Sequence, residues 1–221
     1  MNFPNALKGI KKIYISEMLM LLSGALGGVA SFFGTQAAKQ IEQGGAEAIE
    51  AGTAFGVMIP LLASGIIAII AVFIQFFGLK SAANDDDNFK TGYTYALIGL
   101  VLSVVFSILS YTKIGGDLLD DLVKLVSSFI QVVVTFYVIT GIKSLSEKLG
   151  NTEMAARGKK TFNIYAAAII LASVVELAMT VLSSGLKTAV VGILGAVMLV
   201  LMVVGYILYL GYLSKAKKML A

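Results

Sequence analysis

Long apolar runs alternate with short polar joints along the whole chain. Six runs, at residues 13–34, 52–79, 91–111, 122–142, 161–182 and 188–213, meet the ~20 mostly apolar residues that a membrane-crossing helix needs. They predict helices and not barrel strands. A barrel strand alternates polar and apolar positions, and Ile66-Ile67-Ala68-Ile69-Ile70-Ala71-Val72-Phe73 shows no such alternation. The fold class expected is therefore all-α: a polytopic integral membrane protein with six transmembrane helices in a single domain, 1–221.

The joints resemble one another. One run ends at Gly78-Leu79-Lys80-Ser81 and the next opens at Lys90-Thr91; another ends at Gly141-Ile142-Lys143-Ser144 and its successor opens at Lys160-Thr161. An offset of seventy pairs Lys90 with Lys160, Tyr95 with Tyr165, Gly141 with Gly211, Ser144 with Ser214 and Lys148 with Lys218. This predicts three two-helix hairpin repeats, at approximately 11–80, 90–144 and 160–214, in one orientation. The first hairpin carries an insertion, 35–51, rich in Ala, Glu and Gln, which predicts a short helix on each side of Gly44-Gly45.

Charge sets the expected orientation, because lysine and arginine are retained on the cytoplasmic side. With the N-terminus inside, thirteen basic residues fall on inner segments and four on outer ones. An even number of spans then returns the C-terminus to the inside. The tyrosines agree, with Tyr111 alone near an outer end and the rest near inner ends, where amphipathic rings favour the headgroup layer. The expected location is the cell membrane, multi-pass, of the bacterial cytoplasmic type.

Composition narrows the chemistry. Charged residues make up 14% of the chain and hydrophobic ones 58%, against roughly 25% charged in soluble domains. The net charge of +4 does not imply nucleic acid, because the basic residues flank apolar runs and form no continuous polar face. They read as contacts to anionic headgroups, with Lys80, Lys143, Arg157, Lys159 and Lys160 as the candidates. Lys8, Lys11 and Lys12 ahead of the first run resemble a secretory signal, but Glu17 inside that run argues for a retained first helix. Cysteine and histidine are absent, which excludes thiolate chemistry, HExxH zinc sites and Ser-His pairs. No Gly-x4-Gly-Lys-Ser/Thr loop occurs, and every aspartate lies in or beside a joint. No enzyme activity, metal or cofactor is expected, and no family is recognised.

The polar residues inside the runs are the remaining candidates. Glu176 is the acid deepest in an apolar run, and it pairs with Phe106 under the seventy-residue offset, so the pattern breaks there. An intramembrane acid is by default a functional hypothesis, with Gln131 as the neighbouring candidate; the alternative is a purely structural interhelical hydrogen bond to Gln131, Ser110 or a backbone carbonyl. Gln75 reads as interhelical adhesion. Gly24 and Gly28 form a small-xxx-small face for helix packing, within the chain or in a homo-oligomer. Asn84-Asp85-Asp86-Asp87-Asn88 lacks the glycine and terminal glutamate of an EF-hand loop and reads as a solvated turn capping the third helix. Two functions fit: a structural or interaction component of the membrane, with a membrane-protein partner, or a small transporter with a polar path around Glu176 and Gln131.

Overall fold

The computed structural model describes residues 3–44, 51–111, 116–181 and 184–221, without the side chains of 107, 110–111, 116–122, 124, 172–196 and 198–199 inside the helices. Six helices account for nearly all of these residues: α1 (Pro4–Gly44), α2 (Ala51–Ala82), α3 (Asp87–Tyr111), α4 (Gly116–Lys148), α5 (Thr152–Val181) and α6 (Ser184–Leu220). Among the described residues, five helices are long and apolar enough to cross a membrane. The expected fifth span, 161–182, runs into positions whose side chains lie outside the described residues.

α1 departs from expectation in length. It runs unbroken for 41 residues, well past the apolar span. Thr35-Gln36-Ala37-Ala38-Lys39-Gln40-Ile41-Glu42 contains mostly good helix formers and no breaker, and extending a helix is much easier than nucleating a new one. The first half of the insertion therefore continues α1. Residues 45–50 lie outside the described residues.

The chain forms two compact units, Lys11–Phe77 and Met1–Ile10 with Gly78–Ala221. In Lys11–Phe77, α1 and α2 run antiparallel, which places Glu17 with Gln75, Ser23 with Ser64 and Phe33 with Gly56. In the larger unit α3 packs on α4, α4 on α5 and α5 on α6. Among the described residues, its buried side chains gather at the end where the short joints lie. They include Phe89 at the start of α3, Ile142 and Leu145 near the end of α4, Met154 early in α5, and Tyr212 and Leu213 late in α6.

Small residues permit that packing. Gly141 lies against the Phe89 ring, where a methyl group would come within 2.6 Å of Cε2, and Gly158 lies against Tyr212, where it would come within 2.5 Å of the hydroxyl oxygen. Gly211, which the seventy-residue offset pairs with Gly141, is exposed and has no atom within 4 Å of a Cβ position. The two hairpins thus use their aligned glycines differently.

The joint between α4 and α5 is set by Gly150 and Asn151. Gly150 adopts φ 71°, a left-handed conformation open to glycine without a Cβ penalty. Gly150 N–H donates to Glu147 O at 3.0 Å and Asn151 N–H to Ser146 O at 2.8 Å, the paired bonds that close a helix C-terminus. The Asn151 side chain then accepts from Met154 N–H at 3.0 Å and caps α5.

Candidate functional site

The Asp85-Asp86-Asp87 turn caps α3 as expected, but its middle residue is buried. Asp86 is 7% exposed and accepts four hydrogen bonds. Asn88 N–H and Asn88 Nδ2 donate to Oδ1 at 3.0 and 2.8 Å, while Ser144 Oγ and Lys148 Nζ donate to Oδ2 at 2.7 and 2.9 Å. One carboxylate therefore caps α3 and holds the last two turns of α4. Burial alone would raise its pKa and is the largest single influence, yet the combined donors, Ser144, Lys148 and Asn88, hold it below the ordinary aspartate value.

Asp85 serves α1. That helix opens at Phe3-Pro4, and phenylalanine offers no oxygen to the free backbone N–H groups of the first turn. Asp85 supplies one from elsewhere in the sequence: Oδ2 accepts from Ala6 N–H at 2.7 Å and Oδ1 from Asn5 Nδ2 at 3.0 Å. Its charge also complements the positive end of the helix dipole. Ser81, at the end of α2, donates to Asn5 O at 3.3 Å. Residues 83–88 and Lys148 line an open polar recess of ≈ 340 Å³. The carboxylates of Asp85 and Asp86 are already engaged by these structural donors, and among the described residues no group of acids has the arrangement of a metal site.

A second polar cluster lies between α1 and α2. Glu17 is buried at 6% exposure and Oε1 accepts from Gln75 Nε2 at 3.2 Å. The long-range partner of Gln75 is thus an acid four residues inside the first apolar run. Two turns on, Ser23 and Ser64 clasp each other. Ser23 Oγ donates to Ser64 O at 3.0 Å or to Ser64 Oγ at 3.0 Å, and Ser64 Oγ donates to Ser23 O at 2.9 Å.

The packing glycines read from the sequence sit beside this clasp without taking part in it. Gly24 and Gly28 have no atom within 4 Å of their Cβ positions, whereas Gly27 faces the Ser64 hydroxyl at 3.7 Å. Close approach of α1 and α2 runs through Ser23 and Gly27.

Gln131 is on α4, exposed, and donates through Nε2 to the Tyr165 hydroxyl at 3.4 Å. Tyr165 is buried and its ring lies 5.2 Å from that of Tyr209. Glu176 falls within α5, but its side chain lies outside the described residues, as do Asp117, Asp120 and Asp121. The expected pairing of Glu176 with Gln131 therefore lies outside the described residues.

The five candidate headgroup contacts are all exposed. Two of them are engaged by acids one turn away: Lys143 lies 3.7 Å from Glu147, and Arg157 pairs with Glu153. Lys80, Lys159 and Lys160 have no such acid among the described residues.

Sequence reasoning missed Glu17 and Asp86. The signal for Glu17 was present, since an acid in an apolar run demands a polar partner and Gln75 was the nearest candidate on the next helix. No family model matches the chain, and neither a curated protein nor a solved structure shows significant similarity to it.

Proposed function

We propose that this chain is a structural or interaction component of the cytoplasmic membrane, with six spans in three hairpins, both termini cytoplasmic, and no catalytic activity. The carrying observation is the use made of its polar groups. Glu17 with Gln75, Ser23 with Ser64, and Asp86 with Ser144 and Lys148 all join one helix or joint to another. Such contacts hold helices together within each unit. Exposed apolar side chains along all three hairpins, among them Phe55, Ile59, Ile66, Val104 and Ile207, supply surface for lipid or for a neighbouring membrane protein. Lys80, Lys159 and Lys160 supply charge for anionic headgroups.

The alternative is a small transporter or channel around Glu176 and Gln131. It draws on one observation, the exposed amide of Gln131. Reconstitution in proteoliposomes separates the two. The structural reading predicts no proton or cation flux above empty liposomes, and co-purification in mild detergent of a membrane protein at fixed stoichiometry. A pH-dependent flux that disappears in Glu176→Gln would support the transport reading instead, because the amide keeps the shape of the acid without its charge.

A further inference from the structure

We infer that the open face shared by α3, α4 and α5 at Tyr95, Tyr137, Phe136 and Phe162 is a binding site for an anionic phospholipid, its phosphate at Lys159 and its acyl chains on the rings. The four rings form a continuous row across the three helices. Tyr95 stacks on Tyr137 with 5.6 Å between centroids and 13° between planes, Phe136 meets Tyr137 edge-on at 5.2 Å, and Phe136 meets Phe162 edge-on at 5.0 Å. All four belong to the larger unit. Tyr95 and Phe136 are 36% and 40% exposed, and Tyr137 and Phe162 are half-buried. The row is therefore open along one side.

The row lies just beneath the charged end of these helices. Lys159 precedes Phe162 by three residues on α5, ~5 Å along the axis, and Lys143 follows Phe136 by seven on α4, ~10 Å. The polar layer of one leaflet is about 5–8 Å thick, so a lipid with its phosphate at this level lays its first methylenes on the rings. The two lysines differ in what they have left to offer. Lys143 is engaged by Glu147 at 3.7 Å, whereas Lys159 is exposed with no acid partner among the described residues. The excess charge is positive and selects an anionic headgroup over a zwitterionic one.

A lipid suits this face better than a helix of another protein. Membrane helices approach closely where small residues meet, and the glycines nearest the row are already covered. A Cβ on Gly92 would come within 3.1 Å of Tyr137 Cβ, and one on Gly141 within 2.6 Å of the Phe89 ring. Four bulky rings leave an uneven apolar surface, which a flexible acyl chain can follow. The inference deepens the headgroup reading of the proposed function and rests on it, narrowing the contact to Lys159 and the ring row.

The test uses the absence of native tryptophan. A Phe136→Trp chain carries one fluorophore, set in the row, and is reconstituted in bilayers of phosphatidylcholine and phosphatidylglycerol. One lipid or the other carries brominated acyl chains, which quench a tryptophan that they touch. Quenching by brominated phosphatidylglycerol is expected to exceed its share of the bilayer roughly fivefold, and Lys159→Gln in the same chain is expected to remove the preference. Phe55→Trp, at an exposed position of α2, is the reference and is expected to show none. Phe162→Trp repeats the measurement should Phe136→Trp fail to fold. Equal quenching by the two lipids in the row, the same preference at Phe55→Trp, or a preference that survives Lys159→Gln would overturn the site. Quenching at Phe55→Trp with none in the row would overturn it too, because a protein would then cover the rings. No quenching at either position would overturn the membrane reading itself.

Discussion

Ser144 Oγ lies 2.7 Å from Asp86 Oδ2, joining the turn before α3 to the last turns of α4. With Lys148 donating to the same oxygen at 2.9 Å, one carboxylate fixes where two antiparallel helices end. Asp86→Ala removes a helix cap and leaves the Ser144 hydroxyl unpaired. It is expected to cost about 2 kcal/mol, and Ser144→Ala about 1 kcal/mol. Chemical denaturation in lipid-detergent micelles measures both. The double variant should lose less than the sum of the two, because both singles remove the same bond.

The same contact sets a pH dependence. Asp86 has a folded pKa below its ordinary value, so its contribution to stability is fully present above the unfolded pKa of about 4 and fades as pH falls through the folded pKa. Thermal unfolding of the native chain is expected to drop below about pH 4. Asp86→Asn should show a smaller drop over that window.

The clasp between Ser23 and Ser64 predicts coupling between α1 and α2. A double-mutant cycle with Ser23→Ala and Ser64→Ala should return about 1 kcal/mol of interaction energy, within the range for hydrogen bonds between membrane helices. A coupling near zero would mean that the hydroxyls serve only their own helices.

The contacts of Glu17 and Asp86 show where sequence reading stopped. The runs and joints were legible because helix length and apolar composition are local properties, and five helices of the expected kind followed. The pairing of Glu17 with Gln75 depends on the register of two helices, which composition does not encode. Asp86 read as solvated because an aspartate in a polar joint normally is; only the fold brings Ser144 and Lys148 to it. For α1, Gly24 and Gly28 gave the stronger pattern, but one residue is about 100° of helical rotation, and the close contact fell on Ser23 and Gly27 instead. The polarity of Gln131 was visible in the sequence and its exposure was not.

Lys159 and Lys160 are exposed with no acid partner among the described residues, unlike Lys143 and Arg157. Each such charge near a negative leaflet contributes about 1 kcal/mol. Reversing both to Glu is expected to reduce anionic-lipid retention in native mass spectrometry more than reversing Lys143 and Arg157. Equal losses would assign the effect to net charge alone.

The central claim is a membrane-spanning protein whose packed joints face the cytoplasm, and single-cysteine labelling in intact cells tests it most directly. Asn84, in the joint before α3, and Gln36, beyond the apolar part of α1, are both exposed. An impermeant maleimide should label Gln36→Cys in intact cells and Asn84→Cys only after the membrane is opened. Labelling of Asn84→Cys in intact cells, or of both positions from the same side, would contradict the account.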